Sequence, residues 1–222
     1  SFGLKSWSYE KVLPYFKKIE NWSEGENQYR GSLGPLPVNQ SKNVNPLFKA
    51  FLGAASEAGY KINSDMNGET QEGMGMFDTT IHNGERASVS KYYLNPAKKR
   101  KNLNIFSNSF VEKIIFEGKK AVGIEVKIKN QIQKIYAEKE LILSGGSINS
   151  PQLLMLSGIG DANHLKEKGI DVINDLKGVG KNLQDHLETY IMQECKTPDT
   201  LYKYTKFIPK ILAGIQWFLS KS

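Results

Sequence analysis

A mixed α/β fold, of α+β character, is what this sequence predicts, and three observations carry the expectation. Apolar residues recur at helical spacing in two stretches of the first sixty residues. From Val111 to Ala137 the chain reads as strands, and Val122, Ile124, Val126 and Ile128 alternate as in a sheet with one buried face. A short apolar run, Glu140 to Ser144, then passes through Gly145-Gly146 into a further helical stretch.

Taken in order, Ser8 is placed to cap a helix running to about Glu20, with Tyr9, Val12, Leu13 and Phe16 on one stripe. Pro14 falls inside it and is expected to kink it. Residues 23–45 are polar and rich in Gly and Pro, and read as a surface loop. Asn45-Pro46 opens a second helix and Gly59 closes it. Asp65-Met66-Asn67-Gly68 is a turn. Gly73 to Ile81 reads as an extended segment near a ligand, because Gly73 and Gly75 permit close backbone approach. Strands are expected at Leu103–Phe106, Val111–Phe116, Ala121–Lys129, Ile132–Ala137 and Glu140–Ser144. A helix follows from Ser150-Pro151 to Leu156, broken at Gly158–Gly160, then a short helix around His164–Lys168. Asp175–Asp185 is mostly loop, Thr189–Cys195 a strand, and Phe207–Leu219 a helix.

Composition excludes several classes of function. With 39% hydrophobic and 24% charged residues, the 222-residue chain is that of a folded domain and not a disordered tail. The net charge of +7 comes from scattered lysines. The densest run, Lys98-Lys99-Arg100-Lys101, reads as a solvated turn, so no nucleic-acid partner is expected. A single cysteine, Cys195, allows no internal disulfide and no thiolate cluster, and reads as a small buried side chain. His82, His164 and His186 lack metal-ligand spacing. No apolar run reaches the roughly 18 residues that span a bilayer. The chain opens without an initiator Met or a signal-peptide pattern and closes within a helical run, so it reads as an internal piece.

The most specific stretch is Gly146-Ser147-Ile148-Asn149-Ser150-Pro151-Gln152-Leu153-Leu154-Met155-Leu156-Ser157-Gly158-Ile159-Gly160. A strand ends in glycines, so backbone and ligand can approach closely. Ser150 caps a helix that Pro151 starts, and its first N–H groups point back to that corner. Ligands of open α/β sheets bind at such corners. An ordinary tight strand-to-helix connection has the same pattern, and the residues alone leave both readings open.

This stretch resembles, over all fifteen positions, the second signature of the glucose-methanol-choline oxidoreductases. The surroundings resemble the family in order: Trp7-Ser8-Tyr9 with Leu13-Pro14-Tyr15-Phe16, then Gly34-Pro35-Leu36, then Asp65-Met66-Asn67-Gly68 with Gln71-Glu72-Gly73. Gly84-Glu85-Arg86-Ala87-Ser88, Tyr93-Leu94-Asn95-Pro96-Ala97 and Gly178-Val179-Gly180-Lys181-Asn182-Leu183-Gln184-Asp185-His186 follow. The resemblance implies part of an FAD-binding α/β domain plus the start of a substrate domain with an antiparallel sheet. It implies helices and loops of the substrate side over residues 1–100, FAD-domain structure over 101–186, and an incomplete substrate domain over 187–222. The family's dinucleotide fingerprint and catalytic histidine lie outside this stretch of the family sequence. Gly178-Val179-Gly180 lacks the third glycine and the preceding strand, and reads as a loop turn.

What the resemblance implies for the site follows from matching positions. FAD is the expected cofactor. Val111 matches a residue that holds the adenine through its main chain; a sheet-core valine is the plain alternative. Gly145 and Gly146 are second cofactor candidates, against simple turn glycines. No catalytic residue falls in this chain, and His186 reads as structural. Glu188 falls where the choline-oxidising members carry a carboxylate facing the trimethylammonium group. A quaternary ammonium has no N–H donor and is held by charge and aromatic faces, which Tyr190, Tyr202, Tyr204 and Phe207 supply. Tyr190 is taken with Glu188 as substrate-binding; Phe207 replaces a tryptophan of those members. An exposed Glu beside core tyrosines is the alternative. The implied reaction is choline to betaine aldehyde by hydride transfer to flavin, with a quinone or other acceptor. Another primary alcohol, or a non-redox lyase of the family, is the runner-up. The implied place is the cytoplasm or the surface of its membrane.

Overall fold

The computed structural model describes residues 3–41 and 45–220 of the chain, which divide into two units. The first unit runs up to Leu103 and resumes at Met192; the second is Asn104–Ile191.

In the first unit, helix α1 (Tyr9–Ile19) is amphipathic and keeps Pro14 within it. Ser8 sits at its N-cap with extended backbone but makes no side-chain capping bond. Strand β1 (Glu20–Trp22) follows directly and pairs in parallel with β2 (Leu36–Gln40), Asn21 opposite Pro37. The expected loop over residues 23–45 therefore contains a strand. Its composition hid β2, because Pro37 and two amides occupy a five-residue strand held by partners distant in sequence. Residues 42–44 lie outside the described residues. Helix α2 (Pro46–Glu57) starts as expected: the Asn45 side chain accepts from Leu47 N–H at 2.9 Å and Pro46 needs no donor.

Beyond it, the Asp65–Gly68 turn closes with a 3.1 Å backbone bond. Gly73 and Gly75 do approach backbone closely, but that of their own chain. A Cβ at Gly73 would lie 2.7 Å from Lys61 O and one at Gly75 2.2 Å from Asn63 O. The chain's own packing thus accounts for the two glycines. Strand β3 (Asp78–Thr79) pairs antiparallel with β2. Strands β4 (Ile81–His82) and β5 (Glu85–Arg86) form a hairpin about Asn83-Gly84, both at positive φ. A π-helix, Ser90–Leu94, leads into the short helical segment α3 (Asn95–Ala97). The Lys98–Lys101 run after it is exposed. At the other end of the unit, helix Phe207–Ser220 matches its expected extent. Cys195 is half-buried, with Sγ 3.4 Å from Thr197 Oγ1.

The second unit is built on a three-stranded antiparallel meander: β6 (Ser109–Glu117), β7 (Lys120–Ile128) and β8 (Gln131–Tyr136). Gly118 and the Lys129-Asn130 pair, all at positive φ, make the turns. Ile114 faces Ile124 and Val111 faces Val126; Ile114 and Val126 are buried. The register slips between Val111 and Lys113, so Glu112 is an extra residue in the edge strand β6. Helix α4 (Gly146–Leu156) packs on β6. It is followed by β9 (Ile159–Gly160), α5 (Ala162–Glu167) and β10 (Asn174–Asp175), with β9 and β10 parallel.

Three expected strands are absent. Leu103–Phe106, Glu140–Ser144 and Thr189–Cys195 have no ladder partner among the described residues. A strand exists only through its neighbours' hydrogen bonds, so apolar alternation alone does not make one. Helix α4 also begins five residues earlier than expected. Gly145 and not Ser150 precedes its first turn, and Pro151 sits inside it.

Candidate functional site

The corner between residues 141–144 and α4 is set by one hydrogen bond and a glycine. Ser150 Oγ does not cap the helix; it accepts the Gly145 N–H at 3.0 Å and ties the corner to the second turn. Gly146 has φ +84, a conformation that favours glycine. A Cβ built on Gly146 meets nothing within 4 Å, so the corner opens on free space. The first N–H groups of α4 have no partner within the helix and carry its positive dipole end.

A cavity of about 890 Å³ lies beside this end of the helix. Ser147, Ile148 and Pro151 line one side, and Lys181, Asn182 and Gln184 of the following loop line the other. The loop is anchored at Gly180 and Lys181. A Cβ at Gly180, φ +76, would meet Met155 Cε at 3.0 Å, so a larger residue would displace the Met155 side chain and strain the backbone. Lys181 Nζ lies 3.0 Å from Asp161 Oδ2, while Asp161 caps α5 by accepting from Asn163 and His164 N–H. The Lys181 hydrogen bond, then the His164 amide, hold the Asp161 carboxyl below its ordinary pKa.

Strand and helix are locked by Ser157, which is fully buried. Its Oγ accepts the Ile114 N–H at 2.8 Å and donates to Leu153 O at 2.6 Å. Gly158, at φ +88, then accepts from Ile173 and Asn174 and joins α4 to the β9–β10 pair. Val111 lies on the same strand as Ile114, half-buried and adjacent to the bulge. Gly145 and Gly146 adjoin the cavity through Ser147; Val111 does not line it.

Glu188 and Tyr190 fall in a segment without regular structure and are both exposed. Tyr190 Oη donates to Glu188 Oε1 at 2.5 Å. That bond, and then partial desolvation, raise the Tyr190 phenol above its ordinary pKa. Tyr202, Tyr204 and Phe207 belong to the other unit and are exposed there. His186 is exposed, its backbone N–H donating to Asp185. Among the described residues no group of His, Cys, Asp and Glu is arranged to hold a metal. None of their helices is long and apolar enough to cross a membrane.

Sequence reasoning missed one polar centre altogether. Arg30, 2% exposed, is gripped by Glu20 at 2.6 Å, Asp65 at 2.6 Å and Asp78 at 2.9 Å, and lies 4.2 Å over the Trp22 ring. Burial works against its charge, but hydrogen bonds to Glu20 and Asp78 and the charges of Glu20 and Asp65 outweigh it and raise its pKa. These partners lie 10, 35 and 48 positions away, too far for any local pattern. The β4–β5 hairpin was also missed, although Asn83-Gly84 is a readable turn signal.

A glycine corner that opens on free space at a helix N-terminus, with an anchored loop beside it, leaves backbone accessible to an anionic ligand. The family model of GMC oxidoreductases matches residues 1–188, and the chain belongs to that family. The matched region is the family's FAD-binding part. Among characterised relatives, the oxygen-dependent choline dehydrogenase of Brucella ovis is 50% identical over 99% of this chain and 40% of its own length. The mitochondrial choline dehydrogenase of Homo sapiens is 50% identical over 97% of this chain and 36% of its own. The chain thus spans about 40% of the length of the relatives it matches. In structure it is similar to an FAD-dependent oxidoreductase from Chaetomium thermophilum, with TM-score 0.77 and 32% identity over 82% of this chain and 34% of that one. It is also similar to pyridoxine 4-oxidase from Mesorbium loti, with TM-score 0.69 and 30% identity over 77% and 34%.

Proposed function

We propose that this chain is part of an FAD-dependent enzyme that oxidises choline to betaine aldehyde. The observation that carries the proposal is its similarity, along nearly its whole length, to choline dehydrogenases from a bacterium and from human. Residues 1–100 and 187–222 then serve the substrate side and 101–186 the cofactor side.

The residues fit the cofactor. Open space in front of Gly146 admits a flat ring against the backbone, and Gly145 is pinned by Ser150 so that the corner keeps its shape. The unpaired amides of α4 favour the negative charge of a pyrophosphate. On the family resemblance, the main chain of Val111 holds the adenine end. Bound FAD supplies the hydride acceptor. Glu188 supplies the charge that offsets the trimethylammonium group on its transfer from water. On the same resemblance, the hydroxyl proton goes to a histidine outside this chain, electrons pass on to a quinone or other acceptor, and the protein works in the cytoplasm or on its membrane's surface.

The test is Glu188→Gln in the full-length enzyme, assayed with choline and with its neutral isostere 3,3-dimethylbutan-1-ol. The choline kcat/KM is expected to fall about a hundredfold, on the scale of a lost buried charge pair, and that of the isostere to stay within a few-fold. Equal effects on both substrates would point to an uncharged primary alcohol instead. Failure of choline to bleach the flavin anaerobically, in an enzyme that binds choline, would point to a non-redox lyase.

A further inference from the structure

Glu188 is a carboxylate with one oxygen engaged and one open. Oε1 takes the Tyr190 phenol at 2.5 Å, a short, charge-assisted bond. No hydrogen bond or ion pair occupies Oε2 among the described residues. The spacing explains the contact. In an extended segment residues i and i+2 project to the same side, a spacing that suits the Glu188–Tyr190 contact. Nothing else fixes the Glu188 side chain: it lies outside regular structure, and Leu187 beside it is fully exposed. A glutamate left free there spreads over many rotamers, and ordering it opposes binding.

We infer that Tyr190 is a positioning residue, whose phenol holds the Glu188 carboxylate in one rotamer and leaves Oε2 to face the cationic group of the substrate. The inference rests on the proposed cation-binding role of Glu188 and reassigns Tyr190 from an aromatic wall to a donor. A phenol suits the task better than a cationic donor. Lys or Arg in its place would neutralise the carboxylate, whereas Tyr orients it and leaves its charge available for a quaternary ammonium. The raised phenol pKa agrees, since the proton stays on Tyr190 throughout the neutral range.

The experiment uses the full-length holoenzyme and three variants, Tyr190→Phe, Tyr190→Leu and Glu188→Gln, each checked for flavin content and assayed with choline and 3,3-dimethylbutan-1-ol. Tyr190→Phe keeps the ring and loses only the hydroxyl. It is expected to raise the KM of choline about tenfold, with kcat and the KM of the neutral alcohol nearly unchanged. Phe and Leu at 190 should behave alike, because the hydroxyl and not the aromatic face is at work. In the double variant with Glu188→Gln, Tyr190→Phe should add little, since the two act as one unit. If Tyr190→Phe leaves the choline KM at the wild-type value while Glu188→Gln raises it, the inference is overturned and the cation role of Glu188 stands. An unchanged choline KM in Glu188→Gln overturns both. Equal loss toward choline and the neutral alcohol in Tyr190→Phe shows a merely structural tyrosine and also overturns the inference.

Discussion

Single residues carry much of the order in each unit, and Ser157 is the clearest case. It has no exposed surface and satisfies the Ile114 amide while bonding back to Leu153. Ser157→Ala leaves that amide buried without a partner and should cost about 1–3 kcal/mol, measured by urea denaturation. Arg30 is a larger stake. Arg30→Met removes the cation from among Glu20, Asp65 and Asp78, and a loss of about 3–5 kcal/mol is expected by the same measurement. Asp161 predicts a pH effect. Its folded pKa is depressed, so the stability it supplies is present above the unfolded value and is lost as pH falls through the folded one. The stability difference between wild type and Asp161→Asn should therefore be constant near neutrality and shrink below about pH 4 in denaturation curves. Of these residues Ser157 stood within a recognisable motif, but its bond to Ile114 spans 43 positions and no local pattern contains it.

At the scale of elements, the joint between α4 and the β9–β10 pair depends on Gly158. Its φ is +88, and a Cβ there would sit 2.5 Å from Asp171 O. Gly158→Ala is expected to destabilise by about 2–4 kcal/mol, since strain and backbone clash add. Calorimetric unfolding would show it. The glycine's role as a helix stop was legible in the sequence, and so were the meander, its turns and four of the helices. What was not legible is instructive. Glu140–Ser144 reads as a strand because Leu141, Ile142 and Leu143 are apolar, yet Ile142 is three-quarters exposed and has no ladder partner among the described residues. Helix α4 begins at Gly146 because the Ser150 hydroxyl is spent on the Gly145 amide, a contact that capping rules place elsewhere. Strand β2 was hidden in a polar loop because its pairing with β1 and β3, not its composition, makes it a strand.

For the chain as a whole, the buried apolar side chains among the described residues are few: Trp22, Ala55, Ala87, Ile114, Val126, Ile159 and Leu165. Large apolar residues stand open instead, among them Leu33 at 90%, Met192 at 90% and Leu187 at 100%. The chain spans about 40% of the length of the relatives it matches. The isolated 222 residues should therefore bind a hydrophobic dye strongly and retain little FAD after desalting, read by fluorescence and absorbance at the flavin band. Flavin turnover by these residues alone would contradict the placement of the catalytic base outside them. By itself the sequence determined the family, the mixed α/β class and the candidate positions Val111, Gly145, Gly146, Glu188 and Tyr190, because a long motif and residue chemistry are written in order along the chain. Only the tertiary structure decided that Arg30 is buried among three carboxylates, that Ser157 locks strand to helix, and that Tyr190 donates to Glu188. Those facts depend on which atoms meet in space, and chain order does not record the direction of a side chain or the partner of a buried charge.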